Sequence, residues 1–328
     1  MAEHASYLRS QQQQRRATIQ PSARVMRLPP VPTAGARVAL VAPAGPLRGE
    51  EDLARAEQNV RSFGWEPVVG RHALARSGYL AGTDAERLAD VNRAFADESV
   101  DAVWCIRGGY GAMRLLEQID YAALRRRPKA LIGYSDITAL HAAVATRCEI
   151  VTYHGPTARA VLTPFSRDSL ARALTRSGQP CGAAPSGATL FPGRARGRLI
   201  GGNLALLCAL AGTPYAPDYE NAILVVEDVN EPVYRIDRML MQLRLTGALG
   251  RCAGLAFGAF TDIPSSAPEE SGGARTLSEV LAETATRAGV PCVSGIPVGH
   301  IDDQWTLAFG ATVELDADAR SLTMVVDG

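Results

Sequence analysis

The sequence is short of several things, and each shortage excludes a class of protein. It has one lysine, Lys129, so its 34 basic side chains are almost all arginine, balanced by 34 acidic ones. A formal net charge of zero lacks the cationic excess with which nucleic-acid binders neutralise phosphates, so no nucleic-acid partner is expected. No apolar run is long enough to cross a bilayer as a helix, which argues against a membrane partner. The six cysteines (Cys105, Cys148, Cys181, Cys208, Cys252, Cys292) are scattered, without a CxxC pair or a Cys/His cluster. That spacing excludes the common zinc and dithiol motifs; most lie in apolar stretches and read as buried free thiols of a reducing compartment. Aromatic residues make up only 6% of the chain, with three tryptophans.

What remains is an ordinary apolar share, 47%, which excludes wholesale disorder. The length of 328 residues exceeds what one hydrophobic core usually serves and points to two domains. Residues 1–32 differ from the rest: Gln11 to Gln14, Arg15-Arg16, Pro29-Pro30 and Pro32 make a polar, proline-punctuated arm without the apolar core of a signal peptide. They read as a disordered leader on a cytoplasmic protein. From Arg37 onward, short apolar runs alternate with helical patterns: strands near 37–42, 65–69, 102–106 and 130–133, helices near 49–63 and 84–96. Thr83 is a plausible N-cap for the second helix, with Glu86 three residues on. Such alternation predicts an α/β fold with a parallel sheet covered by helices on both faces. A first domain is expected over 33–165. Residues 166–196, rich in Ser, Gly, Pro and Arg, read as a linker, and a second domain follows over 197–328. Its expected elements are helices at 203–211, 235–244 and 277–288, strands at 222–226, 254–260 and 292–293, a polar loop at 264–275, and a closing strand pair at 306–309 and 312–315.

In an open parallel sheet, ligands sit beyond the carboxyl ends of the strands, so the residues after each apolar run carry the chemistry. Ser135 follows the strand 130–133 and precedes a helical pattern. It is either a nucleophile on a strand-to-helix turn or a simple helix cap. Arg107-Gly108-Gly109-Tyr110-Gly111 fails the dinucleotide fingerprint, because position 114 is Arg114 where that motif needs glycine. Its glycines do permit close backbone approach, and Gly109 can donate an N–H. Glu227 ends an apolar run and is either a solvated acid or the partner of a histidine. His300 and His154 both lie just past apolar segments and compete as the base; His4, His72 and His141 weigh less.

Taken together, these segments resemble a known family. Arg107 to Gly111, Gly133-Tyr134-Ser135-Asp136, Tyr153-His154-Gly155-Pro156, Gly201-Gly202-Asn203-Leu204, Glu227-Asp228 with Tyr234 to Arg238, and Gly299-His300 follow the order found in the LD-carboxypeptidases, serine peptidases of family S66. The resemblance runs from about Val38 to about Leu315. It implies a triad of Ser135 as nucleophile, His300 as base and Glu227 as orienting acid, and prefers His300 over His154. It also implies a flavodoxin-like or amidotransferase-like N-terminal domain, a C-terminal swivelling β/α domain with the site between them, and a cytoplasmic homodimer without metal or cofactor. The oxyanion would be held by the N–H groups of Asp136 and of Gly109 or Gly108. By analogy, the substrate is a murein tetrapeptide that loses its terminal D-alanine during peptidoglycan recycling. Arg107, Asn203 and Arg238 are the expected substrate-binding residues, either arginine being a candidate for the carboxylate of the leaving residue. Two other readings share the scaffold: an amidase of peptidyl or aminoacyl adenylates, as in microcin C immunity, and a catalytically dead small-molecule binder.

Overall fold

Leu40 and Trp104 face one layer of helices while Val41 and Cys105, their chain neighbours, face the other. Alternate residues of a strand project to opposite faces, so a run apolar at every position must be covered on both sides. The computed structural model, which describes residues 26–264 and 275–325, organises the chain around strands of this kind. In chain order they are β1 (Arg37–Val41), β2 (Glu66–Val69), β3 (Ala102–Cys105), β4 (Ala130–Gly133), β5 (Thr152–His154), β6 (Ala188–Phe191), β7 (Arg194–Asn203), β8 (Ala222–Val229), β9 (Gly254–Thr261), β10 (Cys292–Ser294), β11 (Leu307–Phe309), β12 (Thr312–Asp316) and β13 (Ser321–Met324).

Two sheets result, ordered β11-β5-β4-β3-β1-β2 and β13-β12-β7-β8-β9-β10-β6. Five strands of the first, β1 to β5, pair in parallel, as do β7 to β10 in the second. Helices Asp84–Ala96 and Thr138–Cys148 pack through Val91, Phe95 and Leu140 on one face of the first sheet. Helices Glu50–Ser62 and Pro164–Thr175 cover the other through Val60 and Leu170. Thr83 caps its helix as expected: its side chain accepts the Glu86 N–H, and the Glu86 carboxylate accepts the Thr83 N–H at 2.7 Å.

Three expectations need correction. The strands at 306–309 and 312–315 do not pair with each other. β11 joins the first sheet antiparallel to β5, whereas β12 joins the second beside β7. The crossing is fixed at Gly310-Ala311, where Gly310 donates to the Leu199 carbonyl at 2.7 Å and Leu199 donates to the Ala311 carbonyl at 2.8 Å. The domain expected over 197–328 therefore supplies a strand to the first sheet, and Leu307, Ala308 and Phe309 are buried by doing so. The region expected to be linker is largely regular: helix Pro164–Thr175, capped by Thr163, buries Leu170 and Leu174 against the first sheet, and β6 and the start of β7 belong to the second.

The third correction concerns the leader, whose residues 1–25 lie outside the described residues, as does the expected polar loop apart from its end positions Pro264 and Arg275. Residues 26–32 are attached to the body. Arg27 donates to the Glu149 carbonyl at 2.7 Å and accepts from Val151 at 2.9 Å, and Arg176 donates to the Pro29 carbonyl. Each such bond contributes about 1 kcal/mol net. A truncation to residue 33 is therefore expected to be about 2 kcal/mol less stable in urea denaturation than a truncation to residue 26; equal stabilities would show that these contacts are idle.

The two sheets meet where β7 ends. Asn203 donates its N–H to Thr138 Oγ1 at 2.9 Å, and Gly202, at φ +125°, leaves no room for a side chain: a Cβ there would lie 2.4 Å from the same oxygen. Gly202→Ala should cost about 1–3 kcal/mol through this overlap and the positive φ. It should also depress turnover in the protein that remains folded, which a urea titration paired with an activity assay will resolve.

Candidate active site

Ser135 sits two residues beyond the end of β4. Its φ of +65° places it in the left-handed region, and a tight 3-10 turn, Ser135–Ile137, leads from it into helix Thr138–Cys148. A non-glycine residue held there costs about 1–3 kcal/mol and persists only where the surroundings enforce it. It is not a cap: the cap positions of the turn and of the helix are Tyr134 and Ile137. Instead, Ser135 Oγ lies 3.1 Å from His300 Nε2, and His300 Nδ1 lies 2.8 Å from Glu227 Oε2. Glu227 is fully buried on β8, at a point where the register with β9 shifts between Val226 and Asp228. A buried carboxylate accepts the Nδ1–H, which leaves Nε2 unprotonated and facing the serine hydroxyl. The three candidates, separated by 92 and 73 residues along the chain, meet in one line of hydrogen bonds.

The glycine loop closes over this line. Gly108 packs so tightly on the serine that a Cβ there would fall 2.8 Å from Ser135 Cβ and 3.1 Å from its Oγ. Its carbonyl accepts the Gly45 N–H at 3.0 Å. Asp136 anchors the far end of the loop, its carboxylate accepting the Ala112 N–H at 2.7 Å. Burial pushes the Asp136 carboxyl up to about 6, against the pull of that bond and of Arg87. Sequence reasoning missed Arg87. Its guanidinium is buried and donates to the Pro43 carbonyl and, at 2.9 Å, to the Gly111 carbonyl, which ties the loop after β1 to the glycine loop. Three residues after Asp84 on a helix, it has the pattern of a surface ion pair, and no local signal marks it.

The rival base is placed elsewhere. His154 is wholly buried, with its ring 5.0 Å from that of Phe309 and 6.1 Å from that of Tyr134. Burial holds it well below the ordinary imidazole range, and His141 and His300 add to the shift. His141 is also fully enclosed. Its Nε2–H donates to the Gly133 carbonyl at 2.8 Å, and burial lowers it to about 4. The hydrogen bond to Ser135 belongs to His300.

The expected substrate-binding residues divide. Asn203 is hydrogen-bonded within the fold: its Nδ2 donates to Asp228 at 2.8 Å and its Oδ1 accepts the Leu206 N–H. Arg238, on helix Val233–Leu245, places its guanidinium over the Tyr234 ring at 5.9 Å. Arg107 is half-buried beside the glycine loop and donates to the Pro46 carbonyl. Among the described residues, no group of three His, Cys, Asp or Glu side chains is arranged to hold a metal ion, and no helix is long and apolar enough to cross a membrane.

Comparison with known proteins identifies the family. Residues 38–155 match the LD-carboxypeptidase N-terminal domain and residues 196–315 the LD-carboxypeptidase C-terminal domain. The chain is 35% identical over 296 residues to the murein tetrapeptide carboxypeptidase of Pseudomonas aeruginosa, covering 86% of this chain and 94% of that protein. It is 26% identical over 294 residues to the microcin C7 self-immunity protein MccF of Escherichia coli, covering 80% and 84%. The crystal structure of muramoyltetrapeptide carboxypeptidase from Oxalobacter formigenes superposes with a TM-score of 0.77 at 30% identity, covering 88% of this chain and 98% of that one. With both domain models matched in order and the relatives aligned over most of their length, the chain belongs to the LD-carboxypeptidase family, peptidase family S66.

Proposed function

We propose that the protein is a serine LD-carboxypeptidase that hydrolyses the amide to the terminal D-alanine of murein tetrapeptides through an acyl-enzyme. The observation that carries this reading is the relay Ser135–His300–Glu227, with bonds of 3.1 and 2.8 Å. His300 Nε2 takes the Ser135 proton as Oγ attacks the scissile carbonyl, and the buried Glu227 carboxylate stabilises the imidazolium that forms. Collapse of the tetrahedral intermediate breaks the C–N bond, and His300 returns the proton to the leaving amine of D-alanine. A water, deprotonated in turn by His300, attacks the Ser135 ester and releases the tripeptide. The N–H groups of Asp136 and Gly109, with Gly108 the alternative, serve as the oxyanion donors. The left-handed turn at Ser135 and the contact of Gly108 with its side chain support that role.

A peptide substrate is favoured over an adenylate by the placement of the large aromatics. Trp65, Trp104 and Trp305 are all buried, so none offers a face on which a purine could stack. The names of the murein peptide relatives, at higher identity than the microcin immunity protein, support the same choice. The exposed pair Tyr79 and Tyr110 near the glycine loop makes the direct comparison of substrates the decisive measurement. Cytoplasmic recycling of peptidoglycan by a homodimer is the setting proposed for this activity.

Ser135→Ala and His300→Ala should each lower kcat by about 10⁴-fold or more, and the double variant should be no worse than Ser135→Ala, because the residues act as one unit. His154→Ala should retain more activity than His300→Ala; the reverse order would mean that the base is wrongly assigned. A fluorophosphonate probe should label Ser135, which a dead binder would not permit. D-Alanine should be released from L-Ala-γ-D-Glu-meso-diaminopimelate-D-Ala and not from its all-L isomer, with products read by mass spectrometry. A preference of more than about tenfold in kcat/KM for an aminoacyl adenylate analogue would transfer the assignment to the amidase reading.

A further inference from the structure

Arg159 occupies a place that the chain goes to some length to specify. The backbone on either side of it is held: Ala158 donates to the Cys105 carbonyl at 2.9 Å, Arg159 to that of Ile106 at 3.3 Å, and the Asn59 amide donates to the carbonyls of Ala158 and Ala160 at 2.7 and 2.8 Å. The side chain so aimed reaches Asp52, with Nη1 at 3.4 Å from both carboxylate oxygens. Its Nε is buried and has no hydrogen-bond partner.

Asp52 lies between the Arg48 backbone and the Arg159 guanidinium. Burial raises its carboxyl, but the Arg48 N–H at 3.0 Å and the Arg159 guanidinium outweigh this and hold it below the ordinary carboxylate range, so it is ionised. Arg107 feels burial first, then Arg159, Asp52, Arg48 and Arg76, and its affinity for its proton falls. Arg76 closes the ring by donating to the Leu47 carbonyl at 2.9 Å. Arg159, Arg48 and Arg76 thus all act on Arg107 around the loop at residues 45–48, with Asp52 opposing them. Arginine does not shed its proton, so the imbalance is a standing positive field that an anionic ligand would satisfy.

That field lies beside the nucleophile. Arg107 immediately precedes Gly108, the residue in contact with Ser135. A Cβ on Gly45 would sit 3.0 Å from the Gly108 carbonyl oxygen and 3.6 Å from Arg107 Nε. In a carboxypeptidase substrate, the carboxylate carbon of the leaving residue is three bonds from the scissile carbonyl carbon, within about 4 Å. Its cation must therefore flank the nucleophile, as Arg107 does through its neighbour Gly108. We propose that Arg159, together with Arg107, forms the subsite for the α-carboxylate of the substrate's C-terminal residue, a proposal that rests on the carboxypeptidase reading above. A guanidinium with unused donors suits paired hydrogen bonds to a carboxylate.

The test is made by binding, so that it does not depend on turnover. In the Ser135→Ala protein, the tetrapeptide ending in D-alanine should bind at least about tenfold more tightly than the same peptide ending in D-alaninamide, by isothermal titration calorimetry. Adding Arg159→Gln should close that gap, and Arg159→Lys should restore part of it. A merely structural role for Arg159 would weaken acid and amide alike and leave their ratio unchanged. Equal affinities in Ser135→Ala, an unchanged ratio in the Arg159→Gln double variant, or binding of neither peptide would each overturn the subsite. Failure of the catalytic reading is seen separately, as absent fluorophosphonate labelling of Ser135 in the unsubstituted protein.

Discussion

A single buried hydrogen bond, from the Asn203 N–H to Thr138 Oγ1, stands at the join on which the site depends. Thr138 begins the helix that follows Ser135, and Asn203 ends the strand that pairs with β8, opposite Glu227 itself. The bond therefore sets the spacing between the nucleophile on one sheet and its acid on the other. Gly202 lets the two backbones approach closely enough for it to form, and Asp228, next to Glu227, holds the Asn203 side chain from behind. β11 adds a second join, since Gly310-Ala311 passes from one sheet to the other under hydrogen bonds to Leu199. A triad whose members come from two sheets needs such seams, because misplacement of about 1 Å costs much of the advantage of proximity.

Charge is arranged around this join in a consistent way. The acid of the triad is buried completely and the imidazole is left partly open. Buried arginine is used as a mechanical part: Arg87 binds two loop carbonyls. Lys129, the one lysine, follows the same habit. It is buried, its ammonium donates to the carbonyls of Ala94 and Asp97, and burial lowers it to about 8. In each case, main-chain carbonyls supply the acceptors that a desolvated cation requires.

Much of this was legible in the residues themselves. Short continuous apolar runs and helical patterns placed the strands and helices, and Thr83 with Glu86 announced a capping box that the structure contains. The three candidates for the relay could be picked out because functional residues follow apolar strands in a parallel sheet. What periodicity could not supply was the choice between partners. His154 and His300 both follow apolar segments, and only packing shows that one is sealed in the core while the other faces Ser135. The strands near 306–309 and 312–315 look like a hairpin because they are close in sequence, yet each joins a different sheet.

The sequence by itself determined the α/β class, the order of the elements, the absence of zinc-type cysteine motifs and the short list of residues able to do chemistry. Those properties depend on local pattern and on residue type. Tertiary structure alone decided that residues 26–32 are attached, that Asn203 takes part in the seam, that Arg87 and Arg107 bind the loops beside Ser135, and that Arg159 reaches Asp52. These outcomes turn on contacts between residues far apart in the chain, where burial and charge depend on what packs opposite and not on what stands next in line.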